Sequence, residues 1–458
     1  MPVNDFTGYP MSWRPQRIRR GDGPVYLSLA SALSRDISEG RLLPGTRLPP
    51  QRELADYLDL NFTTVTRAYD LCRERGLVYG VTGRGTFVAS NTGADIEHAA
   101  EAVDLGVVQG FPGLGCREVV KSAQAVLAGE GAGRLFTYGA REGRLRPREA
   151  GRLWIARRGI AAAADRIVVF PGAQGVLSSA LFSLFGVGDA LAVDEFTYGN
   201  LIALAKMARV KLVAVPGDMG GMLPGRLDDA ARTAGVRGVF LMPDCANPTA
   251  RSIPGRRRAE LAEVVRRRDL LVLEDDAHLG AGGRKTMCEL APERTVYIAG
   301  STRHLSPGLR VTFACCPETV RARLVAGLHH TAIKASALDA EILAEMILGG
   351  EAEVVVGRKR RAAECANAVF DRVFGVGKRL ADARLFRTVP LFGTAGRGRD
   401  IERELSAMGV LAFHSDRFRV GGVATDAFLR VSISNARGVN GLERDLGRLK
   451  AALRNLCA

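Results

Sequence analysis

Hydrophobic residues recur at helical spacing early in the chain. Val25, Leu29, Leu33 and Ile37 fall four residues apart, which predicts a helix over 25–38. Similar patterns predict a helix over 52–58, a third helix from a cap at Thr63 or Thr64 to Arg75, and strands at 77–79 and 85–88. Three helices and a hairpin predict a small domain over residues 20–90.

The pattern changes after residue 104, where short apolar runs alternate with helical segments. The runs are bounded by turn residues and lie at 166–170, 190–193, 210–215, 238–242, 270–273 and 296–298. A helical pattern such as the one over 256–268 lies between two of them. This alternation predicts an α/β domain with a mostly parallel sheet that is covered by helices on both faces.

Two further segments set the predicted domain limits. Residues 91–104 are small, polar and unpatterned, so we predict a linker there and a large domain over 105–458. From about residue 355, two long helical segments and strands near 386–388 and 428–433 predict a smaller α+β subdomain.

Composition narrows the class of protein. With 47% hydrophobic and 25% charged residues, the chain is typical of a globular protein. No apolar stretch approaches the roughly 20 residues of a membrane helix, and we find no secretory signal, so we expect a cytoplasmic protein without membrane contact. Eight scattered cysteines and six histidines show no spacing typical of a metal site, so no metal is expected.

The net charge of +15 favours a polyanionic partner. Residues 1–90, however, carry twelve arginines against nine acids, so most of the excess lies in the large domain. Charge alone therefore does not identify the part of the chain that binds a polyanion.

The second and third helices of the small domain carry polar residues where DNA contacts are expected. Two helices joined by a tight turn can place the second one in the major groove of DNA. The polar residues in position to reach bases or phosphates are Arg52, Asn61, Thr63, Thr64, Thr66, Arg67 and, in the hairpin, Arg84. Phe62, Val65 and Tyr69 are expected on the apolar side. A helical hairpin that binds a protein is the alternative.

The segment from Gly45 to Ser90 resembles the winged helix of the GntR family of bacterial regulators. It contains, in order, G-x-x-L-P-x-x-R-x-L-A, T-V-x-R-A-Y, R-G-L and G-x-G-T-F-V. The resemblance implies a winged helix-turn-helix that binds double-stranded operator DNA. The DNA contacts that it implies are Arg52, Thr64, Thr66, Arg67 and Gly85.

The large domain resembles that of the MocR subfamily of regulators. That domain has the fold of type I aminotransferases, which are enzymes that depend on pyridoxal phosphate. The segments that carry the resemblance are Tyr138-Gly139 with Gly143, Pro171 to Gln174, Glu195 to Tyr198, Asn247-Pro248-Thr249, Glu274 to Asp276 and Leu429-Arg430-Val431. The fold also implies a homodimer with pockets at the subunit interface.

The resemblance assigns roles to single residues. Backbone N–H groups at Ala173 and Gln174, where a helix follows a strand, are placed to cradle a phosphate. The remaining roles that it implies are Tyr198 as a cofactor contact, Asn247 at the phenolic oxygen, Asp275 at the pyridinium nitrogen, Arg310 at the phosphate and Arg430 at a ligand carboxylate.

One departure from the family concerns the residue that bonds to the cofactor. The family's S-K-x-L-x-P-G-L-R reads T-R-H-L-S-P-G-L-R over 302–310, which puts Arg303 at the position of the Schiff-base lysine. An arginine stays protonated and cannot attack an aldehyde near neutral pH. No lysine lies between Lys285 and Lys334 to replace it. We therefore expect no catalytic residue and no transaminase activity.

Other departures affect the same site. Gly300 stands where the family often has a phosphate-binding hydroxyl, for which Ser301 or Thr302 is the candidate replacement. The tyrosine usual after the acidic pair is missing, since Ala277-His278 follows Asp276.

Three hypotheses stay open. In the first, the pocket of a transcription regulator senses a small anionic or amino-acid-like effector without covalent pyridoxal phosphate, with Arg303 and Arg310 supplying positive charge. In the second, it binds pyridoxal phosphate non-covalently or as a ready-made external aldimine. In the third, the pocket is vestigial and the domain serves only for dimerisation.

Overall fold

The computed structural model describes residues 11–15, 24–38, 41–42, 46–74, 77–81, 85–88, 103–111, 113–276, 283–376, 383–422, 427–435 and 438–457. The chain divides between Ala102 and Val103 into two compact units. Each unit has its own buried apolar core.

The N-terminal unit contains the three helices and the hairpin that the sequence predicts. Its elements are α1 (Val25–Ser38), α2 (Gln51–Leu58), α3 (Phe62–Glu74), β1 (Val78–Val81) and β2 (Gly85–Val88). The two strands pair in antiparallel register, with Val78 opposite Val88. Leu33, Leu54 and Val65 lie together in one core, each almost fully buried, because the helical spacing puts them on inward faces.

The strands of the large unit are β3 (Val103–Asp104), β4 (Ile167–Phe170), β5 (Ala190–Asp194), β6 (Lys211–Val215), β7 (Gly217–Asp218), β8 (Gly221–Met222), β9 (Val236–Leu241), β10 (Leu271–Asp276), β11 (Thr295–Gly300), β12 (Thr312–Cys315), β13 (Phe386–Pro390), β14 (Val410–Leu411), β15 (Phe413–His414) and β16 (Phe428–Ser432).

The helices of the large unit are α4 (Cys116–Ala128), α5 (Leu145–Ala156), α6 (Gly172–Leu184), α7 (Gly199–Ala208), α8 (Pro224–Thr233), α9 (Gly255–Arg267), α10 (Met287–Leu290), α11 (Glu318–Ala332), α12 (Ala337–Leu348), α13 (Glu351–Phe374), α14 (Gly398–Ala407) and α15 (Gly438–Cys457). Short 3₁₀ turns lie at Ala132–Phe136, Ala164–Arg166 and Ser415–Phe418.

A seven-stranded sheet with the order β4-β12-β11-β10-β9-β5-β6 forms the centre of the large unit. Only β12 runs antiparallel to its neighbours. Side chains alternate between the two faces of the sheet, so Val168 packs in one apolar core and Val169 in another. The mostly parallel sheet with apolar cores on both faces confirms the predicted α/β architecture.

A three-stranded antiparallel sheet, β13-β16-β15, forms the smaller subdomain together with α13 and α15. The predicted linker 91–104 is wrong at its end, because Val103 and Asp104 form β3, which pairs in parallel with β14. Val103 is buried in the core of this subdomain. Residues 91–102 lie outside the described part of the chain.

Candidate functional site

The N-terminus of α3 is capped by Asn61. Its Oδ1 accepts hydrogen bonds from the backbone N–H of Thr63 at 3.0 Å and from the Thr63 hydroxyl at 2.9 Å. The expected cap at Thr63 or Thr64 is therefore wrong by two or three residues. The apolar position expected for Phe62 is also wrong, since its ring is 43% exposed, whereas Val65 and Tyr69 are buried.

Two exposed arginines flank the start of α3. The Arg52 guanidinium lies 5.7 Å from the centre of the Phe62 ring, and that of Arg67 lies 5.9 Å from the ring of Tyr26. Such contacts hold the flat face of a guanidinium while its N–H groups still point outward. Thr63 is exposed and Thr64 is half-buried beside them.

Thr66 faces the preceding helix. Its hydroxyl lies 2.9 Å from Oε1 of Gln51 on α2 and 3.0 Å from the Phe62 carbonyl. This hydroxyl therefore links α2 and α3, and its predicted contact with DNA stays a prediction.

Arg47 lies against the hairpin and was not among the DNA contacts predicted from the sequence. Gly85 has a φ of +113°, and a Cβ at this position would lie 3.1 Å from Nε of Arg47. The exposed Arg47 side chain thus packs across the backbone of β2, where the positive φ of Gly85 favours glycine. Its position two residues after Gly45 in the G-x-x-L-P motif was the available signal. Arg84 lies outside the described residues.

In the large unit, Arg310 meets the start of α6. A Cβ on Gly172, whose φ is +77°, would lie 3.0 Å from Nη2 of Arg310. The first N–H groups of a helix have no partners within it and favour an anion. Ala173 and Gln174 stand in this first turn, so the guanidinium and the helix N-terminus together form a cradle suited to a phosphate.

Asn200 connects this cradle to the next contact. Its Nδ2 donates to Oε1 of Gln174 at 3.0 Å and to the phenolic oxygen of Tyr198 at 3.1 Å. Burial raises the pKa of Tyr198, while the charge of Arg303 lowers it. Asn200 was missed from the sequence, although it lies two residues after the predicted Tyr198.

Three consecutive acids at the end of β10 have three different environments. Glu274 accepts the backbone N–H groups of Met287 and Cys288, each at 2.9 Å. Asp276 accepts the Tyr297 hydroxyl at 2.6 Å and pairs with Arg158 at 2.8 Å. Asp275 is 4% exposed, and its Oδ1 has no hydrogen-bond partner.

The electrostatics of Asp275 follow from that environment. Burial raises its pKa from 3.8 to about 7, although the charge of Arg303 acts in the opposite direction. A buried carboxylate oxygen without a donor is costly, so a ligand that brings a cationic N–H group would satisfy it.

Arg430 and Asn247 form the other end of the pocket. Nη1 of Arg430 donates to Oδ1 of Asn247 at 2.8 Å, and Nη2 donates to the Gly106 carbonyl. Its buried Nε has no hydrogen-bond partner. Burial and, to a smaller extent, the charge of Arg303 together lower the pKa of Arg430 to about 9, so this guanidinium would gain from an anion.

Arg303 acts electrostatically on three of these groups. Its charge lowers the pKa of Asp275, Tyr198 and Arg430. Its main chain packs against Gly110, where a Cβ would lie 2.9 Å from the Arg303 carbonyl oxygen. The structure thus brings Arg430 to Asn247 and Arg310 to the start of α6, while the role of these residues in ligand binding stays a prediction.

The two candidate hydroxyls differ. Ser301 is 2% exposed, and its hydroxyl donates to the Val311 carbonyl. Since a hydroxyl has one proton to donate, Ser301 has none left for a phosphate. Thr302 is half-buried and is the better candidate of the pair.

Among the described residues, no group of three or more His, Cys, Asp or Glu side chains is placed to hold a metal ion. Within the same described ranges, none of the helices combines the length and the apolar character that a membrane span requires.

Comparison with protein families divides the chain in the same way. Residues 25–88 match the gntR family of bacterial regulatory proteins, and residues 106–369 match aminotransferase class I and II. The HTH-type transcriptional regulator YdeF of Bacillus subtilis, itself uncharacterized, is 30% identical over 465 residues, covering 100% of both chains. The probable rhizopine catabolism regulatory protein MocR of Rhizobium meliloti is 26% identical, covering 75% of this chain and 76% of its own.

Solved aminotransferase structures share the fold of the large unit. LysN, an alpha-aminoadipate aminotransferase from Thermus thermophilus complexed with N-(5'-phosphopyridoxyl)-L-leucine, superposes with a TM-score of 0.69 at 22% identity and covers 80% of this chain and 96% of its own. A multiple substrate aminotransferase from Thermococcus profundus reaches 0.72 at 17% identity, covering 80% and 95%. At these identities the similarity establishes the fold alone.

Proposed function

The chain belongs to the MocR-type regulators, in which a GntR winged helix-turn-helix precedes an aminotransferase class I and II domain, and we propose that its pocket senses a small anionic or amino-acid-like ligand without a covalent bond. The observation that carries the proposal is Arg303 at the lysine position. Its charge lowers the pKa of Asp275, Tyr198 and Arg430. An arginine at this position supplies a permanent positive charge but no nucleophile.

Pyridoxal phosphate fits part of this pocket. The cradle at Gly172 and Arg310 suits its phosphate, and the unpartnered Oδ1 of Asp275 suits its protonated ring nitrogen. The cofactor supplies an aldehyde and an electron-withdrawing ring when bound. Because Arg303 cannot bond to that aldehyde, these residues would bind and orient the molecule and would catalyse nothing.

A preformed adduct of the cofactor with an amino acid is the second candidate. The fold relative from Thermus thermophilus holds N-(5'-phosphopyridoxyl)-L-leucine, which needs no lysine bond. Such a molecule carries a phosphate for the Arg310 end and a carboxylate for Arg430. A vestigial pocket is less well supported, since it would retain a buried carboxylate with an unsatisfied oxygen and a buried arginine with an unsatisfied Nε without any benefit.

The experiment is borohydride trapping with pyridoxal phosphate. The wild-type protein should show no imine absorption band and no trapped adduct, because an arginine stays protonated. Arg303→Lys should gain both, and Arg303→Gln, which removes the cation without adding an amine, should gain neither.

Mass spectrometry of the trapped protein identifies the modified residue. A wild-type adduct at Lys285, Lys334 or Lys359 would overturn the non-covalent proposal. Failure of Arg303→Lys to form the imine would favour a vestigial site.

A further inference from the structure

A buried lysine lies behind the pocket and has no part in the function proposed above. Lys359 on α13 is 0% exposed. Its ammonium donates to the main-chain carbonyl of Arg303 at 3.3 Å, and no carboxylate within the described ranges pairs with it. Burying an ammonium without an acid is costly, so such a residue is kept only where it contributes something.

The composition of the chain makes this lysine exceptional. Only eight of its 64 basic residues are lysines, and arginine stands even at the Schiff-base position. A lysine differs from arginine in offering a compact charge that can lose its proton. Its presence at a fully buried position therefore indicates a requirement for one of these two properties.

Lys359 also occupies a junction in the fold. On its N-terminal side, Ala352 and Val355 pack in a core of the large sheet. On its C-terminal side, Ala363 and Ala366 pack in the core of the smaller subdomain. The helix thus passes from one core to the other, and Lys359 bonds to the pocket loop at the crossing.

We propose that Lys359 is a positioning residue of the ligand pocket, whose buried ammonium fixes the main chain of Arg303 and contributes positive charge from behind this loop. This inference rests on the proposed function, since it assumes that an anionic ligand occupies the pocket. Through Lys359, α13, which enters the smaller subdomain, contacts the main chain of Arg303 directly.

Other titratable groups surround this position and bear on its charge. Burial lowers the pKa of Lys359 to about 8, although Cys116 at the start of α4 acts in the opposite direction. Burial and the charges of Arg157, Lys359, Arg158 and Arg303 together lower the pKa of His304 to about 3, so this imidazole stays neutral. Asp275 titrates near pH 7 on the ligand side. Above about pH 8, Lys359 therefore loses its charge, and the attraction for an anion should fall. This decline should precede the one that follows loss of charge on Arg430, whose pKa is about 9.

The test measures binding of N-(5'-phosphopyridoxyl)-L-leucine to the full chain between pH 6.5 and 9.5. Lys359→Met should bind roughly fivefold more weakly than wild type at pH 7, and its affinity should lack the decline near pH 8. Lys359→Arg should keep the affinity at pH 7 and also lack that decline, because arginine stays charged. Lys121→Met is the control, since Lys121 on α4 is exposed and pairs with Glu351 at the start of α13, the helix that carries Lys359.

A second measurement needs no ligand. Backbone hydrogen exchange in residues 301–310 should be faster in Lys359→Met than in Lys121→Met, because the Arg303 carbonyl loses its donor. Unchanged exchange, or a pH profile equal to that of wild type in both Lys359 variants, would overturn the role of Lys359. A wild-type protein that binds no phosphopyridoxyl adduct, with faster exchange in Lys359→Met, would count against the proposed ligand and leave the positioning role supported.

Discussion

At the scale of single residues, the pocket shows how neighbours that look alike in sequence acquire different properties. Glu274, Asp275 and Asp276 are consecutive acids; the first two are buried, and the Asp276 side chain is 9% exposed. Two of them find donors in the backbone of α10 or in Tyr297 and Arg158. Asp275 alone keeps an oxygen without a partner, because alternation along the strand directs it toward the pocket.

The pH dependence of stability tests this view of Asp275. Its folded pKa of about 7 lies above its ordinary value of 3.8, so the folded state holds the proton more tightly. Its contribution is therefore most favourable below pH 4 and is lost as pH rises through 7, by at most about 4 kcal/mol. Asp275→Asn should be more stable than wild type at pH 8 and nearly equal to it at pH 4 in thermal unfolding.

The control for that experiment is Asp229→Asn, which changes an exposed acid on α8. A lower melting temperature for Asp275→Asn than for wild type at pH 8 would show that the carboxylate is satisfied in the folded protein. Asp275→Asn should also weaken binding of a ligand that presents a cationic N–H group.

At the scale of elements, the two ends of α3 have different environments. Asn61 caps its start, Thr63 and Arg67 lie in its first two turns, and all three side chains are exposed. Arg73 lies in its last turn and pairs with Asp70 at 2.6 Å. A recognition helix contacts DNA through its N-terminal residues, so the two ends should respond differently to substitution.

DNA binding by the full chain tests this polarity. Arg67→Ala should weaken binding to DNA from upstream of the protein's own gene by roughly tenfold and reduce the slope of log K against log salt by about one, since one phosphate contact is lost. Arg73→Ala, at the other end of the same helix, should leave both nearly unchanged. Equal losses in the two variants would contradict the assignment of the recognition surface.

At the scale of the whole molecule, the large unit exposes apolar side chains that a single copy leaves uncovered. They cluster in and after α4 and are Val120, Leu127, Phe136, Tyr138 and Leu145. The 3₁₀ turn that contains Phe136 packs against α4 and α12, which brings part of this set together. Exposed apolar patches of this kind mark interaction sites, and a second copy is the partner that the aminotransferase resemblance implies.

Sedimentation analysis tests the homodimer. Wild type is expected to be a dimer. Phe136 is 69% exposed in the single chain, and Phe136→Asp should be a monomer, because its charge would be buried in the expected interface. Met207→Asp is the control, since Met207 is 70% exposed on α7. A wild-type monomer, or a dimer that Phe136→Asp leaves intact, would contradict this placement.

Sequence by itself determined the helices and the hairpin of the N-terminal unit, the alternation of the large unit and the absence of a lysine at residue 303. Each depends on local periodicity or on a motif whose register is visible in the chain. The sequence did not identify Asn61 as the helix cap, because several neighbouring polar residues can cap a helix. The hydrogen bonds in the folded protein show which of them does.

Tertiary structure alone decided which groups are buried and what they meet. Val103 and Asp104 were predicted to belong to a linker, because their partners in β14 lie some 300 residues away in the sequence. Lys359 was not singled out because nothing in its local sequence marks it, and its importance depends on a carbonyl that a distant loop supplies. The lone oxygen of Asp275 likewise exists only after folding removes water, since desolvation is a property of the packed molecule and not of the residue.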